Sequence, residues 1–176
     1  MSIGNELLMI FILILVNAVL AMSEAALVAS RKARLQQQAG EGNKSSALAI
    51  KLIEDPNIFL STIQIGITLI GVLAGAVGGA TIAESLAVVL HNIPYISEYS
   101  TSIALGIVVL SITVLTIWLG ELVPKRLGLN SPEKIAQVVA GPMLFLSVVF
   151  SPFIKLMSGA TNFVLRLMGV NPSTDP

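Results

Sequence analysis

Residues 118–126, WLGELVPKR, set a carboxylate, a glycine and a helix-breaking proline within about one turn at the end of an apolar run. Pro124 has no N–H, so the carbonyl four residues earlier, that of Gly120, loses its helical donor. Gly120 has no side chain to cover that oxygen. A carboxylate at Glu121 beside an uncovered carbonyl at Gly120 offers hard oxygens at a helix break, which membrane proteins tolerate where the break lines a cavity. That is cation chemistry. The same residues also read as a helix ending at the membrane interface, with Glu121 paired to Lys125 at i+4.

Two further clusters lie in apolar surroundings. Ser61, Gln64, Thr68, Gly71 and Gly75 fall at offsets that keep them on one helical face. Hydroxyls can bond their own helix backbone, but the Gln64 amide needs a partner, either on another helix or in a ligand. Gly71, Gly75 and Gly79 form a small-xxx-small series suited to close helix packing. In the first apolar run, Asn17 and Glu24 share a face and Ser23 is adjacent. Asn17 sits too deep to reach water and requires an interhelical partner. Glu24 either lines a pocket or meets water or Arg31 at the run's end. Intramembrane polar and ionisable groups are costly and are functional candidates by default. Carboxylates, hydroxyls, an amide and carbonyls suit magnesium, calcium or sodium. With no cysteine and the single His91, zinc and copper sites are not available.

The elements that position these groups follow from composition. The chain is 55% hydrophobic and 11% charged, with mean hydropathy +0.88, against about 25% charged for soluble domains. It reads as an all-α integral membrane protein. Ten basic and ten acidic residues cancel, so no global field points to nucleic acid. No nucleophile–base set or phosphate loop suggests an enzyme. Before the first apolar run there is no Lys or Arg, only Glu6, so that run is expected to be a retained helix, not a signal peptide.

Crossing the hydrocarbon core takes about 20 apolar residues. Spans are expected at 3–30, 58–90 (long, glycine-rich and a candidate broken helix) and 101–122. Residues 35–55 read as two short interfacial helices broken at Gly40 and Gly42. Arg31, Lys32, Arg34, Lys44 and Lys51 separate the first two spans, none separates the second from the third, and Lys125, Arg126 and Lys134 follow the third. The positive-inside rule then gives three crossings, N-terminus outside and C-terminus inside. The run 135–154 is long enough for a fourth crossing. Gly141-Pro142 and Ser151-Pro152 are expected to break it, and a crossing would place Lys155 and Arg166 outside. Kinked helices along the cytoplasmic interface are therefore expected, starting at Ser131 as N-cap with Pro132 first in the helix. The expected division is a three-span core over 1–130, a juxtamembrane helical belt over 131–168 and a linker over 169–176.

Three stretches together, LAMSEAALVASRKARL, NIFLSTIQIGITLIG and GELVPK, resemble the transmembrane domain of the CorC / cyclin M (CNNM) magnesium-transport proteins. The resemblance covers nearly the whole chain, and the ordered set of three is what makes it specific. It implies a homodimer of three-span domains with a juxtamembrane belt in the cell membrane, and an inward-facing site that holds magnesium between the helices. It also implies magnesium export coupled to sodium entry. By motif position the site would comprise Ser23, the stripe Ser61, Gln64 and Thr68, and Gly120 with Glu121. Glu24 fills a position that other branches give to a small residue. Members usually continue into cytosolic CBS modules that bind ATP. This chain ends at GVNPSTDP, so it is expected to be a piece of a longer protein, without ATP regulation of its own.

The leading expectation is a magnesium transporter membrane domain, with Glu121 supplying charge and Ser23, Ser61, Gln64 and the Gly120 carbonyl supplying neutral oxygens. Two other classes fit the same residues: a dimeric membrane anchor whose glycines and polar groups serve assembly alone, and a cation channel without coupled transport.

Overall fold

The structure, a computed structural model, describes residues 3–169 apart from the side chain at residue 80. Eight α-helices make up almost all of it. Helix α1 (Ile3–Ala29) ends where RKAR begins. Helices α2 (Lys32–Gly40) and α3 (Lys44–Glu54) form a short hairpin turned at Gly42. Its φ of +96° is the left-handed conformation glycine adopts without penalty. Asn43 caps α3 by accepting from the Ser46 N–H at 3.2 Å. Helix α4 (Pro56–Val77) starts with proline at its first turn and Asp55 as cap.

The long second apolar segment does not break at its glycines. Helix α4 passes through a π-helical turn at Gly78–Ile82 into α5 (Ala83–His91), one continuous element over 56–91. After the loop, α6 (Ser100–Ile117) passes through a second π turn at Trp118–Leu122 into α7 (Val123–Asn130). The third helix therefore runs straight through Pro124 and continues eight residues beyond the expected end near Leu122. Helix α1 lies at the centre. Gly66 faces Leu20 and Gly78 faces Ile10, so α1 and α4–α5 run antiparallel. Gly120 faces Asn17 and Gly128 faces Met22, so α1 and α6–α7 run parallel.

Helix α8 (Pro132–Leu167) corrects the expected break at Gly141-Pro142 and Ser151-Pro152: it is a single 36-residue helix through both prolines. The buried stripe of Ala136, Val139, Ala140, Met143, Ser147 and Ile154 keeps helical spacing past each proline. The carbonyls that lose their donors belong to Val138 and Val148, which are 78% and 68% exposed and point away from that stripe. Packing on one face thus holds the helix while the defects stay on the other. Ser131 precedes α8 but makes no side-chain cap.

Among the described residues, four helices are long and apolar enough to cross a membrane, Ile3–Ala29, Pro56–Val77, Ser97–Asn130 and Pro132–Leu167. Helix length alone therefore does not single out three crossings. The core joins Leu20 and Leu27 of α1 to Leu35, Leu52, Phe59 and Ile63, with Ala136, Val139 and Met143 of α8 closing it. Of the expected linker, residues 170–176 lie outside the described residues.

A candidate cation site around Lys125

Pro124 does what its lack of an N–H requires, but the outcome differs from an open carbonyl. The helix widens into the π turn, where the Val123 N–H reaches back five residues to the Trp118 carbonyl. The Gly120 carbonyl accepts the side-chain amide of Asn17 at 3.0 Å, a buried bond across 103 residues. Asn17 thereby finds the interhelical partner its depth demanded. A Cβ at Gly120 would sit a tight 3.2 Å from Asn17 Nδ2 and in ordinary contact, 3.5 Å, with the Ile14 carbonyl, so a side chain there would press on the amide that makes this bond. Asn17 Oδ1 is buried with no hydrogen-bond partner among the described residues, as is Thr116 Oγ1 one turn before Gly120.

Glu121 follows on the same turn. The Lys125 ammonium donates to Glu121 Oε1 at 2.9 Å, the i+4 pair that the sequence offered as the plainer reading. The same ammonium lies 3.3 Å from Glu24 Oε2 of α1. One cation thus joins carboxylates from two helices. Glu24 in turn lines an open cavity of about 650 Å³ with Ser61 and Gln64 of α4. Its remaining wall comes from α8 through Ile154, Met157, Ser158, Thr161 and Asn162.

The expected site residues therefore separate into neighbouring groups. Glu24, Ser61 and Gln64 meet at the cavity, and Glu121 is tied to it through Lys125. Ser23 is fully buried beside Glu24, with its hydroxyl donating to the Val19 carbonyl at 2.6 Å. That oxygen keeps lone pairs to offer. Thr68 is exposed and is not among the residues lining this cavity. Gly71 and Gly75 line a smaller cavity of about 200 Å³ with Thr113 and Thr116, and a Cβ on either would meet nothing within 4 Å. Gly79 comes near only Leu105, at 3.7 Å. Close helix approach within the chain falls instead to Gly66, Gly78 and Gly128. A Cβ at Gly128 would lie 2.7 Å from the Met22 carbonyl and 3.3 Å from the Ala26 N.

The sequence offers Lys125 as a boundary cation or as the i+4 partner of Glu121, and nothing in its spacing joins it to Glu24. It also assigned no residue of α8 to the site. Ser158, Thr161 and Asn162, spaced to share one helical face, were a signal for that wall. Among the described residues no three His, Cys, Asp or Glu side chains gather as a metal cluster. Any ion held here would rest on one or two carboxylates and neutral oxygens, a ligand set that suits a partly hydrated ion.

Apolar helices around a polar pocket at one end define a multi-pass helical membrane domain. The chain matches the cyclin M transmembrane N-terminal domain over residues 8–176 and belongs to that family. It is 46% identical over 169 residues to a UPF0053 protein of Synechocystis sp., covering 96% of this chain and 38% of that protein. It is 34% identical over 166 residues to the polyamine export protein of Salmonella typhimurium, covering 94% and 37%. With UPF0053 protein YhdT of Bacillus subtilis the identity is 29% over 171 residues, covering 97% and 37%. The chain thus spans under two-fifths of the length of each of these relatives.

Proposed function

We propose that this chain is a cation-transporting membrane domain that binds magnesium at Glu121 and Glu24 and exports it in exchange for sodium. The observation that carries the reading is the pair of carboxylates from α1 and the π turn, drawn to one ammonium beside a cavity lined by Ser61 and Gln64. Magnesium gives up water reluctantly and is bound by few carboxylates with several waters retained. A roomy cavity lined by Glu24, hydroxyls and an amide, with Glu121 joined to it through Lys125, fits a hydrated ion. Ser23 and the Gly120 turn supply the neutral oxygens closest in sequence. Sodium, also a hard cation, competes for the same oxygens, and alternating occupancy would couple the two flows.

In this reading the domain crosses the membrane three times, N-terminus outside, and works as a homodimer in the cell membrane. The parallel course of α1 and α6–α7 against α4–α5 supports that topology.

A second cargo has its own observation. The group already held between Glu24 and Glu121 is a primary ammonium, and the adjoining cavity carries Leu60, Ile65 and Met157 beside its polar residues. An aliphatic polyamine presents that combination of ammonium and methylene. The relatives named polyamine export proteins support this reading.

Calorimetry in detergent tests the proposal. The wild-type chain should bind magnesium, and Glu121→Gln should abolish binding while leaving the helical circular dichroism unchanged. Binding of spermidine with no binding of magnesium would replace the first cargo with the second. Binding of neither, with a melting temperature unmoved by millimolar magnesium, would leave a membrane anchor.

A further inference from the structure

We infer that Lys125 is a tethered competitor: its ammonium occupies the position of the transported cation and must leave before that cation binds. The inference rests on the cation-site reading above and adds the residue that regulates the site. Three observations carry it. The Nζ atom is 2.9 Å from Glu121 Oε1 and 3.3 Å from Glu24 Oε2, so one positive charge is already shared by carboxylates from both helices. These carboxylates belong to elements that no other ion pair joins among the described residues. The lysine side chain is 35% exposed, so a path to water is open, and its flexible four-carbon stem can swing the charge out along it.

The charge count explains why the two cations exclude one another. With Lys125 in place, Glu24, Glu121 and the ammonium sum to one negative charge. A divalent cation added to that set leaves a net positive charge, with ammonium and metal repelling at contact range. If Lys125 withdraws to water, two carboxylates and one divalent cation are neutral. When the cation departs, the ammonium returns and keeps the two half-buried carboxylates paired. Lys125 thus adds an ion-pair link between α1 and the π turn in the cation-free state, beside the Asn17–Gly120 hydrogen bond, and its displacement removes that link alone. Its tether makes it a competitor of constant effective concentration, so it sets affinity and favours release.

The test is magnesium calorimetry on the whole chain in detergent with Lys125→Ala, Lys125→Arg and Glu121→Gln, each checked by circular dichroism and thermal melting. Lys125→Ala should bind magnesium at least about fivefold more tightly than wild type, and Lys125→Arg should stay at or below wild-type affinity. Millimolar methylammonium should weaken magnesium binding to Lys125→Ala and leave wild type unaffected, because the small cation restores the missing group. Should Lys125→Ala lose its fold, Lys125→Met takes its place with the same expectation. Equal or weaker binding by a folded Lys125→Ala, alongside Glu121-dependent binding in wild type, overturns the competitor and leaves the cation site standing. No magnesium binding by either chain overturns both.

Discussion

The side-chain amide of Asn17 donates to the Gly120 carbonyl at 3.0 Å, fastening the middle of α1 to the π turn that carries Glu121. Pro124 creates the acceptor and Asn17 supplies the donor, so a helix defect becomes a fixed joint between two helices. The helix it fastens carries the Glu121–Lys125 pair at i+4, and the same packing brings Lys125 to 3.3 Å from Glu24.

Asn17→Leu should therefore destabilise the domain. It strands a buried carbonyl, a loss of about 1–3 kcal/mol. Unfolding in detergent, followed by circular dichroism, measures it. Asn17→Ala removes the donor as well and should lose a comparable amount. Wild-type stability in both variants would show the contact to be dispensable.

Pro124→Ala returns an N–H to the helix. The Gly120 carbonyl then has a backbone donor, the π turn can close to an α turn, and Glu121 rotates away from its present position. The variant should remain folded and bind magnesium about tenfold more weakly, about 1.4 kcal/mol. Calorimetry beside wild type reads the change. Unaltered affinity would detach the π turn from binding.

The glycines make a contrast. Gly128→Ala drives a methyl into the Met22 carbonyl, 2.7 Å from the ideal Cβ position, and should cost about 1–3 kcal/mol because backbone cannot yield like a side chain. Gly71→Ala finds open space and should be neutral or stabilising by up to about 1 kcal/mol through helix propensity. Matched melting curves in detergent decide the order of the two. Dissociation of a dimer by Gly75→Leu, seen by light scattering, would assign the open stripe to contact between copies.

Topology is testable because the chain has no cysteine. Single substitutions Ser97→Cys, Asn43→Cys and Thr161→Cys in cells should label differently with a membrane-impermeant maleimide. With three crossings, Ser97→Cys reacts from outside while Asn43→Cys and Thr161→Cys react only after permeabilisation. Reaction of Thr161→Cys from outside would make α8 a fourth crossing.

Much of the architecture was legible in the residues themselves. Hydropathy and charge placed α1, the α2–α3 hairpin and the long second and third helices, because burying apolar length in lipid is a local property of each segment. Gly40 and Gly42 marked the break between the two short helices by residue type, and Gly42 makes the turn. The proline rule picked out the Gly120 carbonyl from one fact, the missing N–H of Pro124. The prolines of α8 misled for an equally physical reason. Local rules count the lost hydrogen bond at Pro142 and Pro152, but not the continuous stripe packed against α1, α3 and α4 that holds the helix through both.

The sequence by itself determined that this is a helical membrane protein carrying oxygen ligands and isolated charges at the ends of its apolar runs, since composition, spacing and the chemistry of single residues suffice for that. Only the tertiary structure decided who meets whom. It gave the Gly120 carbonyl to Asn17, put Glu24 in the cavity with Ser61 and Gln64, and left Gly71 and Gly75 open while Gly128 took the close contact. It also set Lys125 between two carboxylates separated by 97 positions in the chain. Such pairings depend on the relative rotation and depth of packed helices, which no local pattern specifies.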